Sequence, residues 1–224
     1  MGYTMNKFKT VSGLLLIAAI AGCSSSSTNS GGGGTTTTGG TVALPVAPGA
    51  GTGAISASTL SGVSAALDEL TTAINAGTIA APTTAPTGTA TMNGYVSIDG
   101  GNATESVVGN LTVNADFDAG TVTSAASDFG EFDFTDPNNP VAVSTIGITG
   151  GSLSGTGTIN STTISSTLDG NITTQAGNVT IDSDMNGDVL DNGGVLLLVG
   201  DVTGTATDAT GTSALEGGAF VATE

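Results

Sequence analysis

From Thr87 to Glu224 apolar or small residues alternate with polar ones at every second position, and clusters of Asp, Asn and Gly interrupt the pattern about every 10 to 15 residues. A period of two puts alternate side chains on opposite faces of a strand, so this chain is built for β-structure. Leu111, Val113, Ala115 and Phe117 share one face, Asp118-Ala119-Gly120 turns the chain, and Val122, Ser124 and Ala126 run back. Ile164, Ser166, Leu168, Gly170 and Ile172 alternate up to Gln175-Ala176-Gly177-Asn178, and Val179, Ile181, Ser183, Met185 and Val189 return. Asp191-Asn192-Gly193-Gly194 then introduces Val195 to Thr207, and Asp208-Ala209-Thr210-Gly211 introduces Thr212 to Thr223. About eight short strands in succession predict a mainly β fold, a small soluble antiparallel up-and-down β-barrel over residues 87–224 whose closure removes exposed edges. Gly170, Gly187 and Gly200 suit the bends that closure needs. A β-sandwich and a right-handed β-solenoid are the competing architectures, the second weakened by the lack of a fixed-period repeat. A membrane-spanning barrel is disfavoured, because aromatics are 4% of residues and the outward positions read Thr, Asp and Asn.

The preceding segments carry other patterns. Leu60, Val63, Leu67, Leu70 and Ile74 recur at spacings of three and four, which predicts one amphipathic helix from about Thr59 to Ala76, with Ser58 as N-cap and Gly77 as terminator. Its single apolar seam serves for packing on the following domain or, alternatively, for a coiled-coil contact with a copy or partner, while Asp68 and Glu69 face solvent. Pro82 and Pro86 end the helical pattern, so residues 58–86 read as helix plus connector. Residues 23–57 run through Ser, four glycines at Gly31 to Gly34 and four threonines at Thr35 to Thr38. Such a composition predicts a disordered linker, spanning roughly 30 Å as a flexible coil of some 30 residues.

The N-terminal segment sets the location. Lys7 and Lys9 precede the apolar run Leu14-Leu15-Leu16-Ile17-Ala18-Ala19-Ile20-Ala21-Gly22, which ends at the chain's single cysteine, Cys23. About a dozen apolar residues are too few for a membrane span of roughly 20. Ile20-Ala21-Gly22-Cys23 resembles the lipobox of bacterial lipoproteins. The resemblance implies a lipoprotein signal peptide at residues 1–22, cleavage before Cys23, and a membrane anchor of acyl chains on Cys23, each buried methylene adding about 0.8 kcal/mol. Ser24, in place of an inner-membrane retention aspartate, implies the outer membrane, facing either the periplasm or the exterior.

Removal of residues 1–22 takes away both cations, Lys7 and Lys9, and leaves all 19 acidic residues. No histidine exists. The mature chain therefore forms no internal salt bridge, and its fold rests on burial and backbone hydrogen bonds. Nucleic acid is excluded as a partner, while divalent cations and basic partners are attracted. Nucleophile–base pairs, imidazole zinc sites and phosphate clamps lack their parts. Carboxylate chemistry survives that elimination, but neither Asp-Thr-Gly nor Asp-Ser-Gly occurs, and an enzyme is not expected. Met92 and Met185 read as core side chains rather than haem ligands.

Pro86-Thr87-Gly88-Thr89-Ala90-Thr91-Met92-Asn93-Gly94-Tyr95, the segment Val179 to Val189, and Val199-Gly200-Asp201-Val202-Thr203-Gly204 with Leu215-Glu216-Gly217-Gly218-Ala219-Phe220 resemble strands of transferrin-binding protein B-like β-barrel lipoproteins. The likeness covers about residues 86–224 plus the lipobox. It implies a small eight-stranded antiparallel barrel at the outer membrane that binds host iron carriers, haem proteins or other soluble partners. Val189-Leu190-Asp191-Asn192 stands where that family commonly has an aromatic pair followed by Gly-Pro, and the cationic grip of larger members is missing. The barrel is thus implied more firmly than transferrin as its ligand.

One ligand-like pattern remains. Asp182, Asp184, Asn186, Gly187 and Asp188 imitate the opening of a calcium loop, although Gly193 occupies the place of the bidentate glutamate. On an extended strand these oxygens stand about 7 Å apart in a row, which favours a solvated face over one shared ion. Together these readings predict a non-catalytic binding or surface-interaction module for a protein or small solute, without a cofactor. The alternative is an acidic structural or calcium-dependent adhesive surface protein.

Overall fold

The computed structural model describes residues 41–224 apart from 46, 103, 104 and 216. The expected signal peptide and Cys23 lie outside the described residues. Among the described residues, one helix and eleven strand segments follow in chain order: α1 (Ala57–Asn75), β1 (Thr89–Asn102), β2 (Glu105–Asp116), β3 (Thr121–Asp133), β4 (Val141–Val143), β5 (Ile148–Asn160), β6 (Thr163–Thr167), β7 (Asp169–Thr174), β8 (Gly177–Asp191), β9 (Leu196–Asp208), β10 (Gly211–Ala214) and β11 (Gly217–Thr223).

These segments make eight staves of a closed antiparallel barrel. β6 and β7 form one stave, since Thr163↔Asp188 and Gly170↔Ile181 belong to a single register against β8, and Leu168 between them donates to Ser183 O at 2.8 Å. β10 and β11 form another, offset by one residue against β9. β4 adds a short rung to β3 through Phe132↔Ala142. Closure comes from β1 on β11, from Asn93↔Thr223 to Asp99↔Gly217. The hairpins read from the alternation are those observed, because the buried face fixes the register wherever a strand has one apolar side.

Inward-facing Met92, Val96, Leu111, Val113, Leu153, Ile164, Leu168, Met185, Leu198 and Phe220 fill the barrel. Gly187 and Gly200 are ladder partners, and the Phe220 ring covers both, with a Cβ at either position falling 2.7 Å from Phe220 Cζ. Glycine here makes room for an aromatic ring.

A second apolar layer lies outside the barrel. Leu60, Val63, Ala66, Leu67 and Leu70 of α1 pack on the outward side chains Tyr95, Val108, Phe132, Leu197, Val199 and Val221. Burial of each such large apolar side chain contributes about 1.5–3 kcal/mol, so the amphipathic seam is used against the chain's own barrel. Helix start differs from the expectation by two residues: Ser56, not Ser58, is the N-cap, its hydroxyl accepting from Thr59 N at 3.1 Å. Ser56 has the extended backbone that a cap requires (φ −97°, ψ 151°), whereas Ser58 is already helical. Gly77 ends the helix at φ +70°, its N–H donating to Ile74 O at 2.9 Å.

The segment before α1 departs from a free linker. From Thr41 to Ser56 the chain is strapped to the barrel's outside: Ala50 N donates to Thr112 Oγ1 at 3.0 Å, Gly51 N to Asp128 Oδ2 at 2.8 Å, and Asn110 Nδ2 to Gly53 O at 2.8 Å. Backbone groups of glycines and alanines are satisfied by side chains of β2 and β3, which composition alone does not reveal.

Candidate functional site

Side chains fill the inside of the barrel. Met92 and Met185 are fully buried among aliphatic neighbours, as expected of core residues. The inward hydroxyls are satisfied by each other and by backbone, with Ser124 Oγ 3.2 Å from Ser166 Oγ, and Ser183 Oγ donating to Leu168 O at 2.6 Å. A cavity of about 10 Å³ lies between the strap, α1 and β1, lined by Leu44, Pro45, Val63 and Tyr95. That is room for about one water. A shallow groove of about 490 Å³ follows the C-terminal half of α1, between Thr41, Val42, Asp68, Glu69, Thr72 and Ala76.

The carboxylates singled out for calcium lie on the outer face of β8. Asp182, Asp184 and Asn186 are exposed, Asp188 is half-buried, and they pair across to Thr205, Thr203, Asp201 and Val199 of β9. Successive positions on one face are about 7 Å apart along the strand. Thr163 Oγ1 donates to Asp188 at 3.3 Å, and Asp169 of β7 accepts from Ser183 N at 2.9 Å. Among the described residues, no group of three or more His, Cys, Asp or Glu side chains converges on a point where a metal ion could sit. The strand brings the four side chains into one row without gathering their oxygens.

The same outer face continues toward β3 as hydroxyls. Thr121↔Thr158, Thr158↔Ser165 and Ser165↔Asn186 are successive rungs, and their side chains are exposed. Opposite charges are missing throughout, since no Lys, Arg or His follows Lys9.

Tyr95 and Asn110 are buried polar residues on the flank covered by α1 and the strap. Tyr95 Oη, Asp99 Oδ1, Ser106 Oγ, Asn110 Oδ1 and Asp201 Oδ1 are buried atoms without hydrogen-bond partners, all on outward-facing positions of β1, β2 and β9. Asp99 is 2% exposed, and burial pushes its carboxyl up to about 6, opposed in part by the adjacent Ser106 hydroxyl. Burial also raises Asp201 and the Tyr95 phenol. Asp128 goes the other way. Burial pushes it up, but donors from Gly53, Ser127, Gly51 and Asn110 outweigh this and hold the carboxyl below its ordinary value. Its own backbone sits at φ +58°, at the irregularity where β2 and β3 shift register. Glu131, 6% exposed, accepts from Ile146 N at 3.0 Å and fastens the loop between β4 and β5.

Sequence reading placed Asp182, Asp184, Asn186 and Asp188 correctly on one face and missed Asp99, Asp128 and Asn192. Alternation marks Asp99 as outward, and outward ordinarily means wet. Only the presence of an outer apolar layer, signalled by the α1 seam, hints that part of the barrel's outside is dry. Compared with known proteins, the chain matches no family model and no curated sequence.

Proposed function

We propose that this chain is an outer-membrane lipoprotein, acylated at Cys23, whose small β-barrel is a non-catalytic binding or surface-interaction module related to the transferrin-binding protein B-like lipoproteins. The observation that carries this reading is the division between a barrel filled by side chains and an exterior of Ser, Thr, Asn and Asp. A filled barrel holds no solute, so recognition falls to the outer face and the loop ends.

The strap supports an orientation. Thr41 packs beside Gly193 in the β8–β9 turn, so a tether from Cys23 enters at that end. The β3–β4, β7–β8 and β9–β10 connections are at the other end and stand away from the lipid. A Gly-, Ser- and Thr-rich tether leaves the barrel room to meet a soluble partner.

The test is site-specific photo-crosslinking of the full chain in intact cells, with the probe at Thr156 on the β5 exterior or at Val141 on β4, which is 55% exposed. One discrete heterologous adduct is the expected result. Adducts only between copies, dependent on calcium, would replace this reading by the acidic adhesive one. Absence of any adduct from both positions would refute an interaction module.

A further inference from the structure

Three Asn-Gly pairs occur in the chain: Asn93-Gly94, Asn186-Gly187 and Asn192-Gly193. In such a pair the glycine amide nitrogen, uncrowded by a side chain, is able to attack the asparagine Cγ. Two of the pairs are fixed against it. Asn93 and Gly94 have ladder partners on both β2 and β11, and Asn186 and Gly187 on both β6 and β9. A strand with neighbours on both sides is held extended, and its N–H groups are used by the ladders. Asn192-Gly193 lies beyond the last β8–β9 rung, Asp191↔Leu196.

The turn leaves the attacking nitrogen unengaged. Asn192 N donates to Val195 O at 3.0 Å and Gly194 N to Asp191 Oδ1 at 2.6 Å, while Gly193 N, between them, donates to no group among the described residues. Gly193 and Gly194 stand at φ +69° and +94°, where backbone without Cβ turns freely. What opposes reaction is the strap. Val42 N donates to Asn192 Oδ1, Asn192 Nδ2 donates to Val42 O, and the residue is only 6% exposed. Thr41 packs beside Gly193, so the strap covers both members of the pair.

We propose that Asn192-Gly193 is a self-modification site guarded by the strap: when Val42 lets go, Gly193 N attacks Asn192 Cγ, and the strap's attachment at Val42 is lost for good. The N–Cγ bond forms, the Cγ–Nδ2 bond breaks, and the Gly193 proton leaves with Nδ2 as ammonia. Water then opens the succinimide ring at one of its two carbonyls, leaving aspartate or isoaspartate at position 192. The sum is amide plus water to acid plus ammonia, with no change of oxidation state. Neither product rebuilds the clasp. A carboxylate accepts from Val42 N but has no N–H for Val42 O. It is also a charge placed beside Asp191, in a chain with no Lys, Arg or His after Lys9 to offset it. The site belongs to the folded chain and stands whether or not Cys23 is acylated.

The test is to age the full chain in mildly alkaline buffer and to follow conversion at the three pairs by peptide mass mapping, with the chain unfolded in guanidinium as reference. All three pairs should convert in guanidinium, and in the folded chain Asn192 should convert at least about tenfold faster than Asn93 and Asn186. Val42→Pro, which removes the donated N–H, should speed conversion at Asn192 at least about fivefold and leave the other two pairs unchanged. Conversion of Asn93 or Asn186 as fast as Asn192, or no conversion at Asn192 in the folded chain by the time the unfolded chain has converted, would overturn the site. An unchanged rate at Asn192 in a folded Val42→Pro chain would overturn the guard. The order of conversion in the unsubstituted chain decides without any variant. Asn192→Asp supplies one product directly: exchange of its Val42 amide should be at least about tenfold faster than in the parent, with the barrel ladders still protected, and equal protection at Val42 would refute the release.

Discussion

Asn192 and Val42, 150 positions apart, are joined as if their groups were neighbours in a ladder: Val42 N donates to Asn192 Oδ1 at 3.0 Å, and Asn192 Nδ2 donates to Val42 O at 2.8 Å. Both bonds are buried. The side-chain amide mimics a peptide group and ends the strap at the β8–β9 turn. Asn192→Ala removes both bonds and leaves Val42 with a buried donor and acceptor, a loss of about 2 kcal/mol. Urea denaturation should show that loss, with exchange of the Val42 amide accelerated and the barrel ladders still protected. Unchanged protection at Val42 would contradict the strap's attachment.

Gly187→Ala and Gly200→Ala should each destabilise by about 1–3 kcal/mol, because the added methyl meets Phe220 Cζ at 2.7 Å and a facing carbonyl oxygen, Val199 O at 2.3 Å or Asn186 O at 2.1 Å. Combining Gly200→Ala with Phe220→Leu relieves the ring but not the carbonyl. Thermal melts of Gly200→Ala, Phe220→Leu and their combination should therefore show partial, not full, non-additivity.

Ser56→Ala should cost about 1 kcal/mol through loss of the α1 N-cap. Ser58→Ala should cost less, since Ser58 shares a hydroxyl contact with Ser56 at 2.9 Å but caps nothing itself. Denaturation midpoints of the two variants decide between the caps, and equal losses would place the helix start elsewhere.

The spacing on β8 predicts no calcium-specific effect. Calcium and magnesium at equal millimolar concentration should shift the melting temperature alike, and Asp184→Asn should change the response by no more than the loss of one surface charge. A shift seen with calcium alone and abolished by Asp184→Asn would show that these oxygens do gather on an ion.

The barrel was legible because Leu111, Val113 and Ala115, or Ile181, Ser183 and Met185, each have one dry face, and a one-residue slip would turn that face to water. The α1 seam was legible for the same reason at helical spacing. The strap was not: Gly49, Ala50, Gly51 and Gly53 bury almost no apolar surface, and their order comes from Thr112, Ser127, Asp128 and Asn110, brought beside them only by the finished sheet. The row from Asp182 to Asp188 was readable as a row, since an extended backbone dictates both its face and its spacing.

The proposed tethering of a filled barrel through Cys23 is tested most directly by the intact mass of the chain purified from its native membrane. It predicts a chain beginning at Cys23, carrying acyl chains on the sulfur and the amine, that leaves the membrane fraction on Cys23→Ser substitution. A chain that retains Met1, or one with an unmodified Cys23 thiol in the soluble fraction, would contradict it.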